Sequence, residues 1–176
     1  MEREVHSNQD EGHVIEKLDF LVRFWELKAR HATLGEPLAA REQVELLSLM
    51  QLVQGEFAVP PAGPIRAARG ALPAQLIGDG GMRRVEIRGL SAGALILASG
   101  TPIATGGQVI LRAADAVTGV EYALPCKVLW VHPGSTKEPC TIAVVVDGIP
   151  TRSLFVTPDA QMGGQLSIGL GERLVG

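Results

Sequence analysis

The side chains in this sequence best suited to gripping a ligand are arginines. Arg66 and Arg69 stand in the stretch Ile65-Arg66-Ala67-Ala68-Arg69, and Arg83, Arg84 and Arg88 follow shortly after. A guanidinium is a planar fork that holds a phosphate with two parallel hydrogen bonds and stacks on flat rings, whereas a lysine ammonium offers only a point charge. Against these arginines the same stretch holds only Asp79 and Glu86, so it reads as a local anion-attracting patch in a chain of net charge −3. Directly after it, Gly89-Leu90-Ser91-Ala92-Gly93-Ala94 offers a small hydroxyl flanked by glycines, where backbone comes close to whatever packs on it.

Catalytic constellations are not visible. Nucleophilic hydrolysis needs a serine or cysteine beside a base, and the strand-rich half of the chain offers only His132, in the turn His132-Pro133-Gly134. Asp115, Glu121, Asp147 and Asp159 are scattered without paired spacing, and Gly163-Gly164 is followed by no phosphate-loop lysine. Cys126 and Cys140 belong to no CxxC or Cys/His cluster, which predicts two buried thiols in a reducing compartment and no metal. The expectation is a non-enzymatic protein with no cofactor. The acidic net charge also argues against a general nucleic-acid binder. No apolar run approaches the ~20 residues that span a bilayer, and the first dozen residues are polar and acid-containing, unlike a signal peptide, so a cytoplasmic location is expected.

The elements that must position these residues follow from periodicity. The chain has 176 residues, 46% hydrophobic and 20% charged, enough for a barrel of about a hundred residues plus a helical attachment. Residues 1–12 are polar and aperiodic and read as a disordered tail. Residues 13–58 read as a helical hairpin. Val14, Leu18, Leu21, Val22 and Trp25 mark one helix to about residue 32, Gly35 ends it, Pro37 sits near the first turn of the next, and the second runs over 38–54. Val44, Leu46, Leu47, Leu49, Met50, Leu52 and Val53 are too many apolar residues for one buried stripe. The excess predicts a homodimer through the hairpin.

Residues 59–64, Val59-Pro60-Pro61-Ala62-Gly63-Pro64, form a stiff extended linker. The period then changes to two, with strands expected over 71–77, 82–88, 94–98, 108–113, 120–131 and 140–147, each bounded by glycine, proline or aspartate turns. Val85 and Ile87 should face inward and Arg84, Glu86 and Arg88 outward. Pro125 should mark a bulge or an edge in the longest strand. Tyr122, Trp130 and Phe155 read as core or interface aromatics. The segment 156–176 is a C-terminal extension without a firm structural reading.

The two segments singled out above, with the strands that follow them, resemble the signature of the PilZ family, small β-barrels that bind cyclic di-GMP through RxxxR and [D/N]xSxxG motifs. The resemblance covers residues 65–155 and implies an α+β fold, an N-terminal helical hairpin followed by a small antiparallel six-stranded PilZ-like β-barrel. It places a possible cyclic di-GMP site on Arg66, Arg69, Gly89, Ser91 and Gly93, with Arg83, Arg84 and Arg88 as an anion patch. Arg69 and Ser91 match the family pattern. Ile65 stands at the first arginine, with Arg66 beside it, Gly89 stands at the Asp/Asn position, and Gly93 falls one residue before the family glycine. Each lost charge-assisted hydrogen bond weakens binding by about 1.5–3 kcal/mol, so two together lower affinity roughly a hundredfold to several thousandfold. The resemblance thus implies a bacterial regulatory adaptor with weak or no cyclic di-GMP binding, docking on an unknown protein partner in motility or secretion machinery. The alternative is a true cyclic di-GMP receptor with a non-standard arginine motif.

Overall fold

The computed structural model describes residues 3–64 and 70–154, with side chains from residue 13 onward. The chain is α+β: two helices precede a closed antiparallel barrel of six strands, joined by a short seventh. Helix α1 spans Arg3–Lys28 and α2 spans Ala40–Leu52. The helix therefore begins ten residues before the apolar period does, and the expected disordered tail over 1–12 is corrected from Arg3 onward. Polar residues can continue a helix nucleated by the packed turns that follow them, and no apolar pattern then announces its start.

After Lys28 the backbone widens through Ala29–Thr33, where Leu34 N–H donates to Ala29 O at 3.1 Å, and Gly35 then takes φ +64°. This left-handed glycine ends the helical run that α1 and the widened turn form together, as expected. Pro37 lies ahead of α2, not in its first turn. Ala39 is the N-cap and brings no side-chain acceptor; Glu42 three residues on accepts from the Ala39 N–H at 3.0 Å.

The strands are β1 (Leu72–Gly78), β2 (Gly81–Leu90), β3 (Leu95–Ser99), β4 (Gln108–Asp115), β5 (Val120–His132), β6 (Cys140–Val146) and β7 (Thr151–Leu154). Their order is β4-β1-β2-β3-β6-β5, and β4 pairs with β5 to close the barrel. Alternation sets the inner face: Leu72, Ala74 and Leu76 of β1, Val85 and Ile87 of β2, and Val120, Tyr122, Leu124, Cys126 and Val128 of β5 are all buried. Arg83 lies directly across from the buried Leu76, so it points to the inner side at one barrel end. Its guanidinium there donates to Thr101 Oγ1 (3.2 Å) and Pro102 O (3.0 Å).

Pro125 shows why β5 is long without being regular. Strand β5 pairs with β7 over 120–123 and with β6 from Cys126 on, leaving a gap between. Pro125 O accepts from Asp147 N–H at 2.8 Å, and a strand residue's N and O point the same way, so the missing N–H of proline falls in that gap. The edge is at Pro125; the bulge against β6 is at Leu129, and a second one in β2 is at Arg88.

Helix α1 is integral to the barrel core. Leu18, Leu21, Val22, Phe24, Trp25 and Leu27 are buried in one cluster with Leu76, Ile87, Leu97, Leu124 and Ile142. Its polar side also binds the barrel: Asp19 accepts from the Tyr122 hydroxyl at 3.0 Å and pairs with Arg152 of β7 at 3.2 Å. Burial and the Asp19 carboxylate together push the Tyr122 phenol up to about 12. No helix among the described residues is long and apolar enough to cross a membrane.

Candidate functional site

The Gly89–Ala94 stretch forms the end of β2, a tight turn, and the approach to β3. Its conformation is held from within. Ser91 N–H and Ser91 Oγ both donate to Ala94 O (3.1 and 3.0 Å), and Ala94 N–H donates back to Ser91 Oγ at 3.1 Å. The serine thus does the work of a turn residue, satisfying backbone groups that a strand ladder cannot reach. Gly89 lies opposite Ile96, where a Cβ would come within 3.1 Å of the isoleucine side chain.

The remaining polar groups of the turn are met by the helical region. Trp25 Nε1–H donates to Ala92 O at 3.1 Å, and both residues are buried. Gly93 N–H donates to Glu56 O at 2.9 Å. A Cβ on Gly93 would lie 2.2 Å from Phe57 O and 2.5 Å from Phe57 C, closer than atoms can approach. Glycine is therefore required here because the chain leaving α2 passes directly over it. That crossing chain is anchored on its other side. Lys17 pairs with Glu56 at 3.1 Å, and the Phe57 ring lies 5.9 Å from Phe24 with Lys28 Nζ 5.6 Å above it. Farther along, Trp130 Nε1–H holds Pro60 O at 3.0 Å, fixing the start of the proline linker to the outside of β5.

Of the site residues expected from sequence, Gly89, Ser91 and Gly93 are brought together in this turn. Arg66 and Arg69 lie outside the described residues, as do Phe155 and the extension 156–176. Arg84 and Arg88, with Glu86, line one shallow pocket of about 220 Å³, and Arg83 stands apart from them. Arg83 points to the inner side and closes a barrel end, Arg88 pairs with Glu86 at 2.9 Å, and Arg84 stands exposed on the outer face. Arg84 also lines a groove of about 560 Å³ with Gln75, Glu86, Arg112 and Glu121. Arg112 and Glu121 are already paired with each other there.

Sequence reading missed Trp25 and the 56–57 backbone as partners of the turn. It also missed the ion-pair set that fixes α2 on α1. Arg23 reaches Glu45 at 2.8 Å and Glu26 at 3.1 Å, while Arg30 reaches Glu42 at 2.7 Å and Glu36 at 3.2 Å. Hydrogen bonds from Arg30 and Arg23 hold the Glu42 and Glu45 carboxyls, respectively, below their ordinary range. Arg23 and Arg30 are seven residues apart on one helix face, the only signal that could have found this pairing. Cys126 and Cys140 are both buried and unbonded to each other, and burial pushes the Cys126 thiol up to about 12. Among the described residues, no group of three or more His, Cys, Asp or Glu side chains is gathered for a metal ion. Comparison with protein-family models, with curated proteins and with solved structures finds no match to this chain.

Proposed function

We propose that the chain is a non-enzymatic bacterial regulatory adaptor: a PilZ-like barrel with weak or no cyclic di-GMP binding, acting in the cytoplasm through protein contacts made by its helical hairpin. One observation carries the reading. The turn that would face a ligand is covered by the chain's own helical region, with Ala92 O held by Trp25, Gly93 N–H held by Glu56 O, and Phe57 backbone seated on Gly93. A nucleotide there would have to displace bonds already made, in addition to lacking the acceptor that Gly89 does not supply. A homodimer through the hairpin is part of this reading, because α2 keeps apolar side chains that neither α1 nor the barrel covers. A further protein partner, of the kind found in motility or secretion machinery, is the expectation that the resemblance brings.

Calorimetric titration of the full chain with cyclic di-GMP tests the reading. The expected result is no saturable heat below a dissociation constant of roughly 100 µM. Micromolar binding that Arg69→Ala abolishes would establish the alternative, a receptor with a non-standard arginine motif.

A further inference from the structure

Helix α2 packs Leu46 and Leu49 against the core yet keeps further apolar side chains in solvent. Its inner side carries Glu42 and Glu45, clamped by Arg30 and Arg23, and only Leu46 of the helix is fully buried. Its outer side exposes Val44 (64%) and Leu47 (62%), with Leu52 (69%) on one flank and Met50 (47%) on the other. Arg41 is the only charged side chain among the exposed residues of α2. At 3.6 residues per turn Val44, Ser48 and Leu52 form one row along the helix, with Leu47 beside it. Surface helices put apolar residues inward and charges outward, so this arrangement needs a covering partner.

We infer that the outer face of α2 seats the same face of a second copy, antiparallel, with Val44 opposite Leu52 of that copy and Ser48 near the two-fold axis. This rests on the hairpin-contact reading above and names the surface and its occupant. Area supports a second copy. The three apolar side chains of this face, Val44, Leu47 and Leu52, offer roughly 100 Å² each, so two faces hide about 600 Å² of apolar surface. A standard interface buries about 1,600 Å², a little over half of it apolar, so the face supplies about two thirds of the apolar area a stable dimer needs. Charge supports it too. A membrane surface would attract a basic rim, yet residues 13–58 carry seven acidic against five basic side chains. A near-neutral face meets its own copy without repulsion. Antiparallel pairing also sends the two Arg41 side chains to opposite ends and opposes the helix dipoles, whereas parallel pairing would bring both arginines together.

Light scattering on the full chain at tens of micromolar, with and without Leu47→Glu, tests the surface. The wild type should be a dimer. Leu47→Glu should raise the dissociation constant at least about a hundredfold while leaving the circular dichroism spectrum and melting profile of a folded chain, because Leu47 faces solvent in each protomer. A dimer indifferent to Leu47→Glu and Val44→Glu overturns the assigned surface and leaves self-association standing. A monomeric wild type overturns both, and its flotation with anionic phospholipid vesicles would assign the face to a lipid surface instead. Orientation is read by cross-linking with a short bismaleimide. A mixture of Val44→Cys and Leu52→Cys chains should couple, whereas Val44→Cys coupling to itself overturns the antiparallel arrangement.

Discussion

Gly93→Ala puts the seating of the hairpin on the barrel to a quantitative test. The added methyl would lie 2.2 Å from Phe57 O and 2.5 Å from its carbonyl carbon, so backbone must move. The contacts at stake are the Gly93 to Glu56 hydrogen bond, the Phe57 ring against Phe24, the Lys28 ammonium over Phe57, and the exposed Lys17 to Glu56 pair. Their ordinary worths are about 1 kcal/mol for the bond, ~1 for the ring pair, ~0.5 for the cation over the ring and at most a few tenths for the screened ion pair. Complete undocking of residues 55–58 thus loses about 2.5–3 kcal/mol. Replacing glycine where φ is not positive returns about 0.5–1 kcal/mol through the unfolded chain. The net loss of about 2 kcal/mol lowers the melting temperature by roughly 4–8 °C for a domain of this size. Gly100→Ala is the control, since nothing lies within 4 Å of its Cβ position. Differential scanning calorimetry of both variants, with amide exchange at residues 55–58, is the assay. A Gly93→Ala melt within a degree of wild type, with protection at Glu56 unchanged, would refute the reasoning.

Three further outcomes follow from the charged and titrating groups. Glu42 and Glu45 have folded pKa values below the ordinary 4.5, so the stability they contribute is present above 4.5 and is lost as pH falls through the lowered values; acid melts should show the loss only below about pH 4.5, and Glu45→Gln should flatten it. Tyr122 is the single tyrosine of the chain, so phenolate absorbance reports it alone. Its midpoint should lie near pH 12, and because the folded pKa is raised above 10, its stabilisation is complete below pH 10 and is lost toward 12; a midpoint at 10 in the folded chain would remove the bond to Asp19. Both cysteines are buried, so an aromatic disulfide reagent should titrate neither thiol in the native chain and both after denaturation; rapid native labelling would contradict the burial of Cys126.

The six barrel strands were legible because each alternates on a strand period and ends at glycine, proline or aspartate. In β2 the inward Val85 and Ile87 and the outward Arg84 and Glu86 fall as the pattern requires. Strand β7 was not legible, since Thr151–Leu154 is exposed throughout and has no apolar period; it exists because β6 leaves β5 beyond Cys126 and vacates an edge. The 91–94 turn was readable as a turn. Its occupants were not, because Trp25 is 67 residues from Ala92 and donates through the one polar atom of an otherwise apolar side chain. No local pattern encodes such a pairing.

The second helix shows why an excess of apolar residues can be read from sequence while its direction cannot. Counting apolar positions in 38–54 established that some would stay uncovered. Which ones depended on where Glu42 and Glu45 pointed, and that depended on Arg23 and Arg30 of the preceding helix, each of which gathers several carboxylates on the α2 side. Once those carboxylates turn inward, Val44 and Leu47 have no choice but to face out, since positions two apart on a helix lie on nearly opposite sides. The ion pairs themselves are weak stabilisers at a half-exposed surface. Their larger effect is rotational: they set which face of α2 the molecule presents, and hence where a second copy can bind.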